Sequence, residues 1–256
     1  MNKFWVILFL LVPIFGCATF FVAPYYNIWL PTDVSAHGRA IDHLFYFILG
    51  LTGLVFVATE VALFLFLWWY NSQTQRDPVR FTHGSHTLEV VWTILPAAAL
   101  LFIAIYQMNV WANAKMRIPK IPPTAEVTGR QFEWRLRYPG PDGQLYTSDD
   151  IFHVNDLHVP LGEEVLLVMK SQDVLHSFFL PNFRIKQDVV PGMKQYIWFK
   201  PVKAGEFDIV CAELCGWGHY KMKGRITVEP RSEYEAWLAK IGQQQQATDL
   251  PESDEE

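Results

Sequence analysis

Two thiols, two imidazoles and a thioether stand at spacings that suit a soft metal. Residues 211 to 222 read CAELCGWGHYKM and contain Cys211, Cys215, His219 and Met222. A second imidazole, His176, lies upstream in the segment DVLHSF. Sulfur and imidazole ligands together suit copper. Two thiols on one turning loop can each bridge a pair of metal ions, and a histidine or methionine can then cap each end.

Each of these residues taken alone has a simpler interpretation. Cys211 and Cys215 could form a disulfide, because the compartment inferred below permits one. They could also hold structural zinc, although zinc rarely takes methionine as a ligand. Met222 could be ordinary core filler. The five residues together, on loops of a strand-rich domain, favour copper over these alternatives.

Three apolar segments predict where this cluster is held. They run from about residue 4 to 23, from about 44 to 70 and from about 88 to 106. Each approaches or exceeds the ~20 residues that a helix needs to cross a bilayer. Residues 1–30 are therefore predicted to be a signal sequence or an extra transmembrane helix, with lipidation at Cys17 as a further alternative. Residues 31–112 are predicted to form a transmembrane helical hairpin.

Basic residues predict the orientation of this hairpin. Lys3, Arg76 and Arg80 flank the apolar segments on the side expected to face the cytoplasm. The loop from 30 to 43 and the domain after residue 107 then face outward, which in a bacterium is the periplasmic side. The net charge of −5 and the acidic residues near the end of the chain do not indicate a surface that binds nucleic acid.

Residues 113–242 are predicted to form one strand-rich domain. The segment from Ala125 to Tyr138 alternates as a single half-buried strand does. Six further short strands separated by Gly or Pro indicate an antiparallel sandwich or barrel; they are expected at 156–160, 164–170, 176–180, 195–200, 206–210 and 225–228. Ser232 can cap a short helix that ends at Ile241. Residues 243–256 are predicted to be a disordered acidic tail.

Three motifs in this order resemble subunit II of haem–copper cytochrome c oxidases. They are CAELCGWGHYKM, DVLHSF followed by IKQDVVPG, and LEVVWTILPA at 88 to 97. The resemblance implies two or three transmembrane helices followed by a cupredoxin-like Greek-key β-barrel or sandwich. It also implies a bacterial plasma-membrane complex that contains haem-bearing subunit I and other oxidase subunits. Electrons would come from cytochrome c and pass to the haems of subunit I, where oxygen reduction is coupled to proton pumping.

The resemblance also implies a role for each residue of the cluster. Cys211 and Cys215 would bridge two copper ions, and His176 and His219 would each terminate one of them. Met222 and the backbone carbonyl of Glu213 would be the weak ligands. The carboxylate of Glu213 would reach a magnesium or manganese ion shared with subunit I.

Three acidic residues outside the cluster also raise the question of a functional role. Glu89 matches an acid at the start of a proton route in subunit I, and this role is favoured over the simpler interpretation that it anchors the interfacial end of its helix. Asp173 matches an acid used to dock cytochrome c, and its simpler interpretation is a loop acid near a strand end. Glu60 lies within the second apolar segment and matches no motif.

The sequence departs from the family at the residue through which electrons are expected to enter. The family usually places two Trp in this strand with one aromatic between them, whereas this chain has Phe132, Glu133 and Trp134. Phe132 and Trp134 remain the candidates. No C-x-x-C-H haem attachment motif occurs, so the donor is predicted to be a separate protein. The rival functions are a quinol oxidase subunit, the copper domain of a nitrous oxide reductase and a membrane-anchored copper chaperone.

Overall fold

The computed structural model describes residues 3–26, 28–70, 81 and 83–249, which divide into two compact units. One unit combines residues 1–31 with 42–108, and the other combines 32–41 with 109–256. The first is helical and the second is built mainly of strands. Arg76 and Arg80, on which part of the predicted orientation depends, lie outside the described residues.

Among the described residues, three helices supply the first unit. They are α1 (Lys3–Val22), α2 (Gly38–Trp69) and α3 (His86–Trp111), and a π-helical turn follows α3 at Ala112–Met116. The first turn of α2 and the last turn of α3 group with the second unit. α2 and the continuous helix from His86 to Met116 are long and apolar enough to cross a membrane. Their apolar side chains are not buried within the protein: Leu54, Leu95 and Leu100 are each 67% exposed. Apolar surface on all sides of a helix is typical of a segment that contacts lipid.

Ten strands form a sandwich of two five-stranded sheets. The strands are β1 (Ala125–Arg130), β2 (Glu133–Tyr138), β3 (Ile151–Val154), β4 (Asp156–Pro160), β5 (Val165–Ser171), β6 (His176–Leu180), β7 (Ile185–Val189), β8 (Gln195–Phe199), β9 (Gly205–Cys211) and β10 (Lys223–Glu229). One sheet has the order β3-β2-β1-β5-β8 and the other has the order β4-β10-β9-β6-β7. The large apolar side chains between the sheets, among them Trp134, Tyr138, Phe178, Phe183 and Phe199, are fully buried.

Two features of the sandwich correct the sequence prediction. The segment from Ala125 to Tyr138 is not one strand but a hairpin, because β1 and β2 pair across the turn at Gln131 and Phe132. The sheets are also not purely antiparallel, since β1 pairs with β5 and β4 pairs with β10 in parallel. Strands β3 and β7 were not expected from the sequence.

Residues 32–41, which include the first turn of α2, group with the sandwich. The amide of Val34 donates to the carbonyl of Asn182 at 3.1 Å, and the carbonyl of Val34 accepts from the amide of Val202 at 2.8 Å. The Ser35 hydroxyl donates to the carbonyl of Phe183 at 3.1 Å. Val34 and Ser35 are both buried. A short stretch before α2 and the first turn of that helix thus group with the strands that follow residue 113.

The last helix is longer than the sequence indicates. α4 spans Arg231–Asp249, so Ser232 lies inside it and does not cap it. The prediction of a disordered tail is wrong for residues 243–249, which continue the helix; residues 250–256 lie outside the described residues. Gln245 contributes to this continuation, because its side chain bonds to the backbone of Phe152 and Asp150.

Candidate metal centre

Two neighbouring strands bring the candidate ligands to one end of the sandwich. His176 is the first residue of β6 and Cys211 is the last residue of β9. These strands pair antiparallel, with Phe178 opposite Cys211, so the two ligand-bearing ends coincide. The chain then loops through Ala212–Met222 and returns into β10. The amide of Cys211 donates to the carbonyl of Met222 at 3.1 Å and closes the base of this loop.

The side chains of all five predicted soft ligands meet there. The sulfurs of Cys211 and Cys215 are 3.9 Å apart. Nδ1 of His176 lies 4.0 Å from the Cys211 sulfur, and Nδ1 of His219 lies 3.7 Å from the Cys215 sulfur. The Met222 sulfur is 3.7 Å from that of Cys215. Each histidine thus faces a different cysteine with the same ring nitrogen.

The spacing of these atoms fits metal coordination. The separation of the two sulfurs is shorter than two metal–thiolate bonds of about 2.3 Å each, so both can bind one ion. The ligand atoms of His176, Cys211 and Cys215 lie within 4.8 Å of one another. The mixed sulfur and imidazole set is typical of copper.

The cluster is shielded from solvent on most sides. His176 and Met222 have no exposed surface, and Cys215 is 3% exposed. Glu213 and His219 are half-buried. The carbonyl oxygen of Glu213 is 3.3 Å from the Cys211 sulfur and faces the cluster. A buried site with soft ligands excludes water and fixes the ligand positions.

Asp173 holds the outer nitrogen of His176. Its Oδ1 is 2.8 Å from Nε2 of His176, while its two oxygens also accept from the backbone amides of Gln131 at 2.7 Å and Val174 at 2.6 Å. Burial raises the pKa of Asp173, but these hydrogen bonds outweigh that effect and the pKa falls below its usual range. A carboxylate in this position makes Nε2 the protonated nitrogen and leaves Nδ1 free to bind metal.

The two thiols hold their protons differently. Burial raises the pKa of Cys211, yet hydrogen bonds from His176 and the backbone outweigh burial and lower it. Burial also raises the pKa of Cys215, and there the charge of Cys211 adds to the rise. The metal-free pair therefore keeps a proton that a bound cation would displace, because a coordinated thiol is deprotonated.

The β1–β2 turn packs directly onto the copper loop, Ala212–Met222. The Gln131 side-chain amide donates to the carbonyl of Cys215. A Cβ at Gly218 would lie 2.5 Å from the Phe132 ring, and one at Gly216 would lie 3.2 Å from it. The absence of side chains at these two positions lets the Phe132 ring lie against the loop. On β1, a Cβ at Gly129 would similarly lie 2.9 Å from the His176 ring.

The two aromatic candidates for electron transfer lie at different depths. Trp134 is fully buried, with its ring 6.0 Å from that of His176 and 5.1 Å from that of Phe178. Phe132 is half-buried and contacts Trp217 edge to face, with the ring centroids 5.2 Å apart. Sequence reasoning did not single out Trp217, although it stands inside the metal motif itself.

The remaining predicted residues are placed outside the cluster. Glu89 lies in the first turn of α3, where one oxygen is 3.9 Å from Nδ1 of His86. Glu60 lies within α2 and Cys17 within α1 as a free thiol. Their suggested roles stay predictions, as does the docking role of Asp173.

Comparisons with known proteins match both units. Residues 142–229 match the family model described as cytochrome c oxidase subunit II, periplasmic domain, and residues 23–110 match its transmembrane domain. An alternative cytochrome c oxidase subunit 2 of Bradyrhizobium diazoefficiens is 33% identical over 82% of this chain and 83% of its own length. A cytochrome c oxidase subunit 2 of Cereibacter sphaeroides is 30% identical over 75% of this chain and 73% of its own length.

Among solved structures, the periplasmic domain of subunit II of a cytochrome oxidase of Bradyrhizobium japonicum is 29% identical. The match covers 50% of this chain and 98% of the chain in that structure, with a TM-score of 0.45.

Proposed function

The chain belongs to the cytochrome c oxidase subunit II family, and on that premise we propose that it accepts electrons from cytochrome c at a binuclear copper centre. It then passes them to the haems of subunit I, where oxygen reduction is coupled to proton pumping. Apolar helices anchor the chain in the membrane, and its cupredoxin-like sandwich is periplasmic. The membrane is that of a bacterial cell.

The observation that carries the proposal is the pairing of two sulfurs with two imidazole nitrogens. Cys211 and Cys215 stand between Nδ1 of His176 and Nδ1 of His219, which approach different sulfurs at 4.0 and 3.7 Å. This symmetry suits two ions that share both sulfurs and have one histidine each. The Met222 sulfur and the carbonyl of Glu213 also lie beside the two cysteine sulfurs and would serve as the weak ligands.

The chain's own residues keep this centre rigid. Copper held by Cys211, Cys215, His176 and His219 would supply one-electron redox chemistry. The sandwich fixes His176 through Gly129 and Asp173, and Gln131 fixes the carbonyl of Cys215. Ligands that do not move between oxidation states reduce the reorganisation that electron transfer requires.

Other residues of the chain are proposed to serve the complex. The Glu213 carboxylate reaches a magnesium or manganese ion shared with subunit I. Glu89 lies at the start of a proton route in subunit I, and an acid at the end of an apolar helix suits that role. Asp173 contributes negative charge beside the docking surface for cytochrome c.

Copper quantitation and electron paramagnetic resonance on the purified oxidase complex test the binuclear centre. We expect a subunit II signal in which the unpaired electron couples equally to two copper nuclei, with two coppers bound by this chain. A signal from a single nucleus, with one copper bound by this chain, would contradict the proposal and favour a mononuclear copper protein.

Rapid mixing with reduced cytochrome c tests the donor. Oxidation of the cytochrome together with reduction of the copper signal is the expected result. A complex that oxidises quinol but not cytochrome c would place the chain with quinol oxidases instead.

A further inference from the structure

An exposed apolar rim lies beside the buried metal cluster. Leu214 is 77% exposed, Trp217 is 80% exposed and Tyr220 is 67% exposed, whereas the neighbouring Cys215 and Met222 are almost wholly buried. All three belong to the copper loop. Large apolar side chains are seldom so exposed without a partner, and Trp and Tyr are enriched where proteins bind each other.

Trp217 is a rim residue that lies between two ligands of the cluster in the chain. It stands two residues after Cys215 and two before His219, so short covalent paths join its ring to both. Gly216 and Gly218 flank it, and their missing side chains admit the Phe132 ring against the loop. Trp217 packs edge to face on that ring at 5.2 Å. The indole is therefore held on the loop by an aromatic contact while most of its surface stays open.

The other aromatics near the cluster are less suited to meet a partner. Trp134 is fully buried and reaches no external protein. Phe132 is half-buried, and its ring contacts that of Trp217. Tyr220 is exposed, but it follows His219 and lies outside the Cys215–His219 segment.

We propose that Trp217 is the residue through which electrons enter this subunit, with Phe132 supporting its ring, an inference that rests on the proposed function. One electron leaves the ferrous haem of the donor, which becomes ferric, and reduces the copper site by one unit of charge. The indole carries the tunnelling path without being oxidised itself. No bond forms or breaks, and no proton moves. The residue for electron entry then lies on the copper loop and not on the β1–β2 hairpin.

The test compares Trp217→Leu with Trp217→Phe in the intact oxidase complex. The measurement is the rate constant for electron arrival at copper from photoreduced cytochrome c, at donor concentrations that saturate the complex. We expect the Leu variant to lower this rate constant by about tenfold or more, and the Phe variant to lose less. Copper content and the copper spectrum should match the parent, because the side chain is 80% exposed.

Two controls separate electron transfer from docking and from general damage. Tyr220→Leu removes an aromatic from the same rim and should raise the donor concentration needed for half-saturation without changing the saturated rate constant. Phe152→Leu removes a half-exposed aromatic from β3 and should change neither. A saturated rate constant in Trp217→Leu equal to that of the parent would overturn the inference. A parent complex that binds no copper, or that does not oxidise cytochrome c, would instead overturn the proposed function.

Discussion

The two sides of the metal cluster are built in different ways. The strand side consists of Gly129, Asp173 and His176, and the loop side is the copper loop, Ala212–Met222. On the strand side, His176 is fully buried and its outer nitrogen bonds to Asp173. On the loop side, His219 is half-buried, and its Nε2 has no hydrogen-bond partner in the part of the chain that the structure describes.

This difference indicates which half of the centre exists before metal binds. The sandwich itself orders the strand side, since burial and three hydrogen bonds to Asp173 fix the imidazole. The loop side is held by the Cys211–Met222 backbone bond, the Gln131 contact and short turns. Metal binding should therefore order the loop against a strand side that is already in place.

The largest effect is expected where both sides depend on one atom. Cys211→Ser should abolish copper binding by this chain and cytochrome c oxidation, because a hydroxyl is a poor replacement for a thiolate ligand of copper. Copper quantitation and turnover of the purified complex check this. Cys17→Ser removes the third cysteine, which lies in α1, and should leave both unchanged. Retained copper in Cys211→Ser would show that the thiol is not a ligand.

Replacing each histidine in the copper-free protein compares how much the strand side and the loop side contribute to the free energy of unfolding. His176→Ala should lower the free energy of unfolding by about 2–3 kcal/mol, because it leaves a cavity among buried groups. His219→Ala should change it by less than about 0.5 kcal/mol, since its side chain is half-exposed and little depends on it without metal. Denaturant unfolding monitored by tryptophan fluorescence measures both. Equal losses would contradict the contrast between the two sides.

The contact between Asp173 and His176 can be weakened by a substitution that keeps the shape of the side chain at position 173. Asp173→Asn should reduce copper affinity by about 10–100-fold, the usual effect of removing a hydrogen-bond partner of a metal-bound histidine. Competition with a copper chelator measures this affinity. Asp208→Asn, at an exposed position of β9, is the matched control and should have no effect. An unchanged affinity in Asp173→Asn, combined with weaker cytochrome c binding, would leave docking as the only role of this acid.

The smallest expected effect concerns the loop side. Gln131→Ala removes the donor to the carbonyl of Cys215 and should destabilise the protein by about 0.5–1.5 kcal/mol. It should also speed the release of copper to a chelator, because the loop loses an anchor. Gln172→Ala, an exposed neighbour, provides the comparison. Release rates that do not differ between the two variants would show that the turn does not hold the loop.

The ligands could be predicted from the sequence because their chemistry depends on residue type and local spacing. The contacts that support them could not. Gln131 and Phe132 contain none of the Gly, Pro or Asn signals that mark a turn, so the hairpin was predicted as one strand. The link between Asp173 and His176 follows from the bend before β6, and the exposure of Trp217 depends on packing by a distant turn. Neither has a periodic pattern in the sequence.

Residues 32–41 have a consequence for how the protein is made. They pack with the sandwich, yet most of α2 and all of α3 separate them in the chain from every strand of it. During synthesis this short piece is exported first. It has no strand to pack against until the two membrane segments are inserted and the rest of the domain is exported. The sandwich closes only when its earliest and latest parts have reached the same side of the membrane. Copper can therefore be loaded into a finished site only after membrane insertion is complete.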